Sequence, residues 1–148
     1  MNFPKRAVVI GGAVVVLAVI ALIAYLTVGS GGGTPVPKAD LRVGDCIENP
    51  PEGSPPSVKR VGCDSPHRGE VYAVLALPES VEYPGDGAVN AFQENCAAEF
   101  TRYAPSPPAG PTFDRSVITP TQQSWANGDR SMLCIATTEQ DRSQSLRT

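Results

Sequence analysis

Residues 7–28 form an unbroken apolar run, AVVIGGAVVVLAVIALIAYLTV, with no charged residue in it. Wound as a helix at about 1.5 Å per residue it reaches about 33 Å, enough to cross a hydrocarbon core of about 30 Å. The run predicts a transmembrane helix. Lys5 and Arg6 precede it and residues 29–37 carry no charge, so the positive-inside rule keeps residues 1–6 in the cytoplasm and exports the remainder. Signal-peptide cores run about 7–15 residues and end at a small-x-small site. This run is longer and lacks such an ending, which predicts an uncleaved signal anchor in the plasma membrane and the lipid bilayer as its first partner.

Beyond the span the pattern changes repeatedly. Residues 29–39, GSGGGTPVPKA, read as a linker that begins flexible and is stiffened by its prolines. Residues 139–148, EQDRSQSLRT, are polar throughout and predict a loose tail. Residues 40–138 remain, about the length of one small domain. Strands are predicted over 41–47, 57–61, 70–77, 116–119 and 131–137. In the third, Val71, Ala73, Leu75 and Leu77 are expected on one face. The proline-rich stretch 49–57 must be an exposed loop. Val89, Phe92, Cys96, Phe100 and Tyr103 recur at spacings of three and four, predicting a helix over 88–103 with Asp86 or Asn90 at its start. Thr119-Pro120-Thr121-Gln122 has a capping-box pattern, with Gly128 placed to close a short helical turn carrying Trp125. The expected fold is α+β: antiparallel strands with one main helix, following an N-terminal transmembrane helix.

Charge and cysteine content narrow the classes. Lys5 and Arg6 aside, ten Lys and Arg face all 15 Asp and Glu, a net of −5 for the exported part. That acidic, patternless balance argues against nucleic acid as a partner. Cys46, Cys63, Cys96 and Cys134 lie outside the cytoplasm in this topology, where disulfides persist. Their spacing contains no C-x-x-C, which removes the usual redox and zinc signatures. Three pairings are conceivable. Cys46–Cys63 is favoured because it closes two sequential strands around the proline loop, and Cys96–Cys134 because it staples the helix to the last strand. His67 is the only histidine, so no metal site or other cofactor is predicted.

The series Leu41-x-x-Gly44-Asp45-Cys46, then Val61-x-Cys63-x-x-Pro66-His67-x-x-Glu70-Val71, then Cys96 with Phe100, then Pro120 and Trp125-x-x-Gly128-Asp129-Arg130-x-x-x-Cys134 resembles the septum formation domain. That domain occurs in actinobacterial membrane proteins, commonly after one N-terminal span. The resemblance implies a membrane-tethered module outside the cytoplasm that is linked to cell division, and it carries over no catalytic residue.

The polar residues of the series have bland and sharp readings. His67 reads as a structural residue bonding the turn after Cys63, and Trp125 as a core lid. Asp45 and Asp129 suit turn backbone, with Arg130 pairing near Asp129 or with Asp45. The sharper reading makes His67, Glu70, Trp125, Asp129 and Arg130 a binding surface for an envelope or division protein or for cell-wall material. A competing reading is a small hydrolase or wall-modifying enzyme in which His67 works with Asp64, Glu70 or Asp129. It requires those groups to converge in one cleft. No Ser–His–Asp geometry follows from the adjacent Asp64, Ser65 and His67, and no nucleophile elbow is present. The sequence therefore favours a binding module over an enzyme.

Overall fold

The computed structural model describes Val16, residues 18–20, 33–80, 82–107 and 112–147. The chain divides into two compact units, Met1–Gly32 and Gly33–Thr148. The predicted span over 7–28 and the cytoplasmic segment 1–6 lie outside the described residues, apart from Val16 and residues 18–20, which are helical. Among the described residues no helix is long and apolar enough to cross a membrane.

The second unit is built on β1 (Thr34–Pro37), β2 (Cys46–Ile47), β3 (Ser57–Val61), β4 (His67–Ala76), β5 (Asp114–Ile118) and β6 (Ser131–Arg142). These form one antiparallel sheet in the order β1-β3-β2-β4-β6-β5. Helices α1 (Asp86–Ala91) and α2 (Asn95–Tyr103) are joined by a 3-10 turn, Phe92–Glu94, and α3 (Gln122–Ala126) precedes β6. The described unit is thus α+β, with a six-stranded sheet and two disulfides.

Along the interior strand β6 both faces of the sheet are buried. Met132, Cys134 and Ala136 join one apolar cluster with Tyr72, Cys96 and Trp125, while Leu133 and Ile135 join another with Leu41, Ile47 and Val71. Alternate side chains of a strand point to opposite faces, so the continuous run Met-Leu-Cys-Ile-Ala supplies both cores.

Several boundaries differ from the sequence expectation. Thr34–Pro37, predicted as linker, is an edge strand paired with β3, and the compact unit begins at Gly33 rather than near Asp40. Edge strands tolerate proline because one side of the ladder needs no N–H donor. The strand expected over 41–47 shrinks to Cys46–Ile47, because Val43 and Gly44 make a turn in which the Asp45 carboxylate accepts the Arg42 N–H at 2.8 Å. The tail expected from Glu139 is strand to Arg142, and Leu146 is buried.

The single face expected for Val71, Ala73, Leu75 and Leu77 is split. Val71 pairs with Ile135 and Ala73 with Cys134, an irregularity that places one extra residue on β4. The bulge turns Val71 toward the Ile47 cluster, while Ala73, Leu75 and Leu77 pack with the helices. The one helix expected over 88–103 is divided into α1 and α2 by the 3-10 turn Phe92–Glu94, yet the predicted stripe holds, with Val89 and Cys96 buried and Phe92, Phe100 and Tyr103 packed beside them. Helix α1 starts at Asp86 behind Gly85, with no side-chain cap. The capping box is displaced by two residues: Thr121 caps α3 reciprocally with Ser124.

Candidate functional site

Two clusters gather the polar residues singled out from sequence. The first lies where α3 meets β6. Trp125 is buried among the helices, edge-on to Tyr83 at 5.7 Å. The Arg130 guanidinium lies 3.8 Å above the indole centroid and donates to the Trp125 carbonyl at 2.7 Å and the Ser80 carbonyl at 3.2 Å. Stacking and hydrogen bonding together fix this arginine. It pairs with neither Asp45, which lies 3.6 Å from Arg60, nor an acid beside Asp129. The pairing expected for Arg130 is therefore replaced by backbone carbonyls, which converge where α3 ends and the chain turns into β6.

Asp129 has a different partner. Its Oδ2 accepts from Lys38 Nζ at 2.7 Å, and its Oδ1 accepts from the Ser131 N–H at 3.0 Å and hydroxyl at 2.8 Å. Burial works against the carboxylate, but the bonds from Lys38 and Ser131 outweigh it and hold the carboxyl below its ordinary range. In the sequence Lys38 has only the marks of a solvated linker charge, whereas its side chain is 8% exposed. It sits in a short 3-10 turn, and its partner is 91 residues away.

This pair borders a cleft of about 750 Å³. One wall is Pro37–Ala39, another the Ser54–Pro56 loop, and the third runs from Thr119 to Asp129, with Gln123, Ser124 and Asn127 in the lining. Ser54 Oγ accepts the Thr119 N–H at 3.2 Å, tying the proline loop to the end of β5. The lining combines apolar proline surface with amides and hydroxyls, and the charges of Lys38 and Asp129 offset each other.

The second cluster is internal. Glu70 Oε1 accepts from the Tyr103 hydroxyl at 2.6 Å and the Ser145 hydroxyl at 2.7 Å, and Oε2 accepts the Leu146 N–H at 2.8 Å. Arg142 stands 3.9 Å from Oε2. Burial, then the bond to Glu70, raises the Tyr103 phenol well above its ordinary value, and burial lowers Arg142. His67 is fully enclosed and its Nδ1 faces the Ser65 carbonyl at 2.8 Å, the turn contact expected of it. A ring nitrogen of His67, a Glu70 oxygen and Cys46 Sγ lie within 4.8 Å of one another. Cys46 is bonded to Cys63 and Cys96 to Cys134, so that sulfur is not free to ligate a metal.

The five residues read as a surface therefore separate. His67, Glu70 and Trp125 are interior; Asp129 lines the cleft, and Arg130 lies beside it over Trp125. His67 meets Glu70 but lies in a different cluster from Asp129.

The septum formation family model matches residues 43–148. The chain belongs to the septum formation family. No curated protein and no solved structure matches the chain significantly. The septum formation match covers β2 through β6, both disulfides and two walls of the cleft, while β1 and Lys38 precede it. Membership links the chain to cell division.

Proposed function

We propose that the chain is a membrane-anchored, extracytoplasmic binding module of the division septum that contacts an envelope or division protein through the cleft beside Asp129. The carrying observation is the cleft itself, about 750 Å³ on a septum formation domain, walled by proline and lined by hydrogen-bonding side chains, with its two charged residues, Lys38 and Asp129, paired to each other. Such a lining suits an uncharged polypeptide segment, whose backbone amides would meet Gln123, Ser124 and Asn127 while its apolar side chains rest on Pro55 and Pro56. Binding is favoured over hydrolysis because His67 is enclosed and turned to a backbone carbonyl, where no substrate could reach it. The anchor rests on the uncharged run at 7–28 and the basic residues before it.

Site-specific photocrosslinking in dividing cells tests the reading. A photoreactive residue at Gln123 should capture one defined envelope protein, and one at Arg102 on the far helix should not. Filling the cleft with Asn127→Trp should abolish both the crosslink and septal enrichment. Crosslinks to wall polymer alone would transfer the site to a glycan. Wild-type enrichment of the filled variant would overturn the site, and a C-terminal reporter that is active only in the cytoplasm would overturn the topology.

A further inference from the structure

His67 is buried without full hydrogen bonding. Its Nδ1–H donates to the Ser65 carbonyl, and Nε2 has no hydrogen-bond partner among the described residues. Buried polar atoms are rarely left in this state without a role. The neighbour within reach is the Cys46–Cys63 bridge, since Cys46 Sγ, a His67 nitrogen and a Glu70 oxygen share a radius of 4.8 Å.

The bridge is asymmetric. Cys46 is fully buried, whereas Cys63 is half-buried in the turn 62–65, between exposed Gly62 and Asp64. That turn is closed by the Ser65 N–H on the Gly62 carbonyl at 2.9 Å. The other bridge is enclosed at both ends, Cys96 being 3% exposed and Cys134 0%.

We propose that Cys46–Cys63 is a thiol–disulfide exchange site, entered at Cys63 by an external thiol and discharged through Cys46 toward His67. Access directs an incoming thiolate to Cys63 Sγ, where a new S–S bond forms and the old one breaks with its electron pair leaving on Cys46 Sγ. That thiolate emerges within 4.8 Å of a His67 ring nitrogen, and, with Nδ1–H committed to the Ser65 carbonyl, a neutral ring takes up on Nε2 a proton equivalent to the one lost by the incoming thiol. The product is a thiolate–imidazolium pair, and such pairing makes a better leaving sulfur. Glu70 supplies the nearby negative charge while remaining bonded to Tyr103, Ser145 and Leu146. A second external thiol attacks the mixed disulfide at the foreign sulfur and releases Cys63 as a thiol. Two external thiols become one disulfide; their two electrons open the bridge, and their two protons end on Cys63 and His67.

The test uses the full chain with both bridges closed, exposed to graded glutathione under native conditions, quenched with acid, alkylated and mapped by mass spectrometry. Glutathione should appear on Cys63 and not on Cys46, and the first bridge should open while Cys96–Cys134 stays closed. His67→Gln should slow adduct formation about tenfold, as expected for a poorer leaving thiol. If His67 only held the turn, the same change would loosen the loop and speed the reaction. Adducts first on Cys46, Cys96 or Cys134, opening of both bridges together only in denaturant, or faster exchange in a folded His67→Gln chain would each overturn the proposal. Should His67→Gln fail to fold, the order and position of wild-type adducts decide it alone.

Discussion

Lys38 and Asp129 stand 91 residues apart in the chain, yet their charged groups meet at 2.7 Å with side chains only 8% and 16% exposed. The contact joins the segment leaving β1 to the turn entering β6, and it borders the cleft. One residue was predicted as linker and the other as turn; together they lock the first edge of the domain to its last strand.

Removing one member of this pair leaves the other charge poorly solvated. Lys38→Met should lower unfolding free energy by about 3 kcal/mol. The double change Lys38→Met with Asp129→Asn should recover part of that loss, because no charge is stranded. Urea unfolding of the four chains in a double-mutant cycle checks both statements.

The same pair sets an acid response. The Asp129 carboxyl lies below its ordinary 3.8 when folded, so the unfolded chain binds its proton first. Its stabilisation is fully present above about pH 4 and is lost as the pH falls through the lower folded value. Thermal melts from pH 6 to pH 2 should show a steeper acid decline in the wild type than in Asp129→Asn.

The C-terminal segment is structural. Leu146 is 1% exposed, and its N–H and the Ser145 hydroxyl satisfy the buried Glu70 carboxylate. Leu146→Ala should cost about 2–4 kcal/mol. Truncation after Arg142 should cost more, since it also strips Glu70 of two donors. Denaturant midpoints of the two variants give the order.

Gly69 lies where β4 passes close beneath the proline loop. A methyl group there would stand 2.8 Å from Pro50 Cγ and 3.3 Å from Ile135 Cγ2. Neither neighbour gives easily, as one is a ring and the other sits in the core. Gly69→Ala should therefore destabilise by about 1–3 kcal/mol, while Gly87→Ala, which meets nothing within 4 Å, should not. Calorimetry of the two variants separates local crowding from a general effect of losing glycine.

What the sequence by itself determined is local or chemical in origin. The three-and-four spacing of Val89, Phe92, Cys96 and Phe100 marks one helix face because the period is written in neighbouring residues. Of the three pairings open to four cysteines, the favoured one, Cys46–Cys63 with Cys96–Cys134, is the pairing in the structure. Trp125 could be read as a buried lid, since a bulky ring between a cap and an apolar strand has few other places to go. The tertiary structure alone decided the rest. Thr34–Pro37 has the composition of a linker and becomes a strand only because β3 offers it an edge. The bulge that parts Val71 from Ala73 is set by register with β6, which neither strand encodes alone. Lys38 with Asp129, and Glu70 with Leu146, are bonds between polar groups whose positions repeat with no period. Hydrophobic burial leaves a rhythm along the chain, whereas a single long-range hydrogen bond leaves none until the fold closes it.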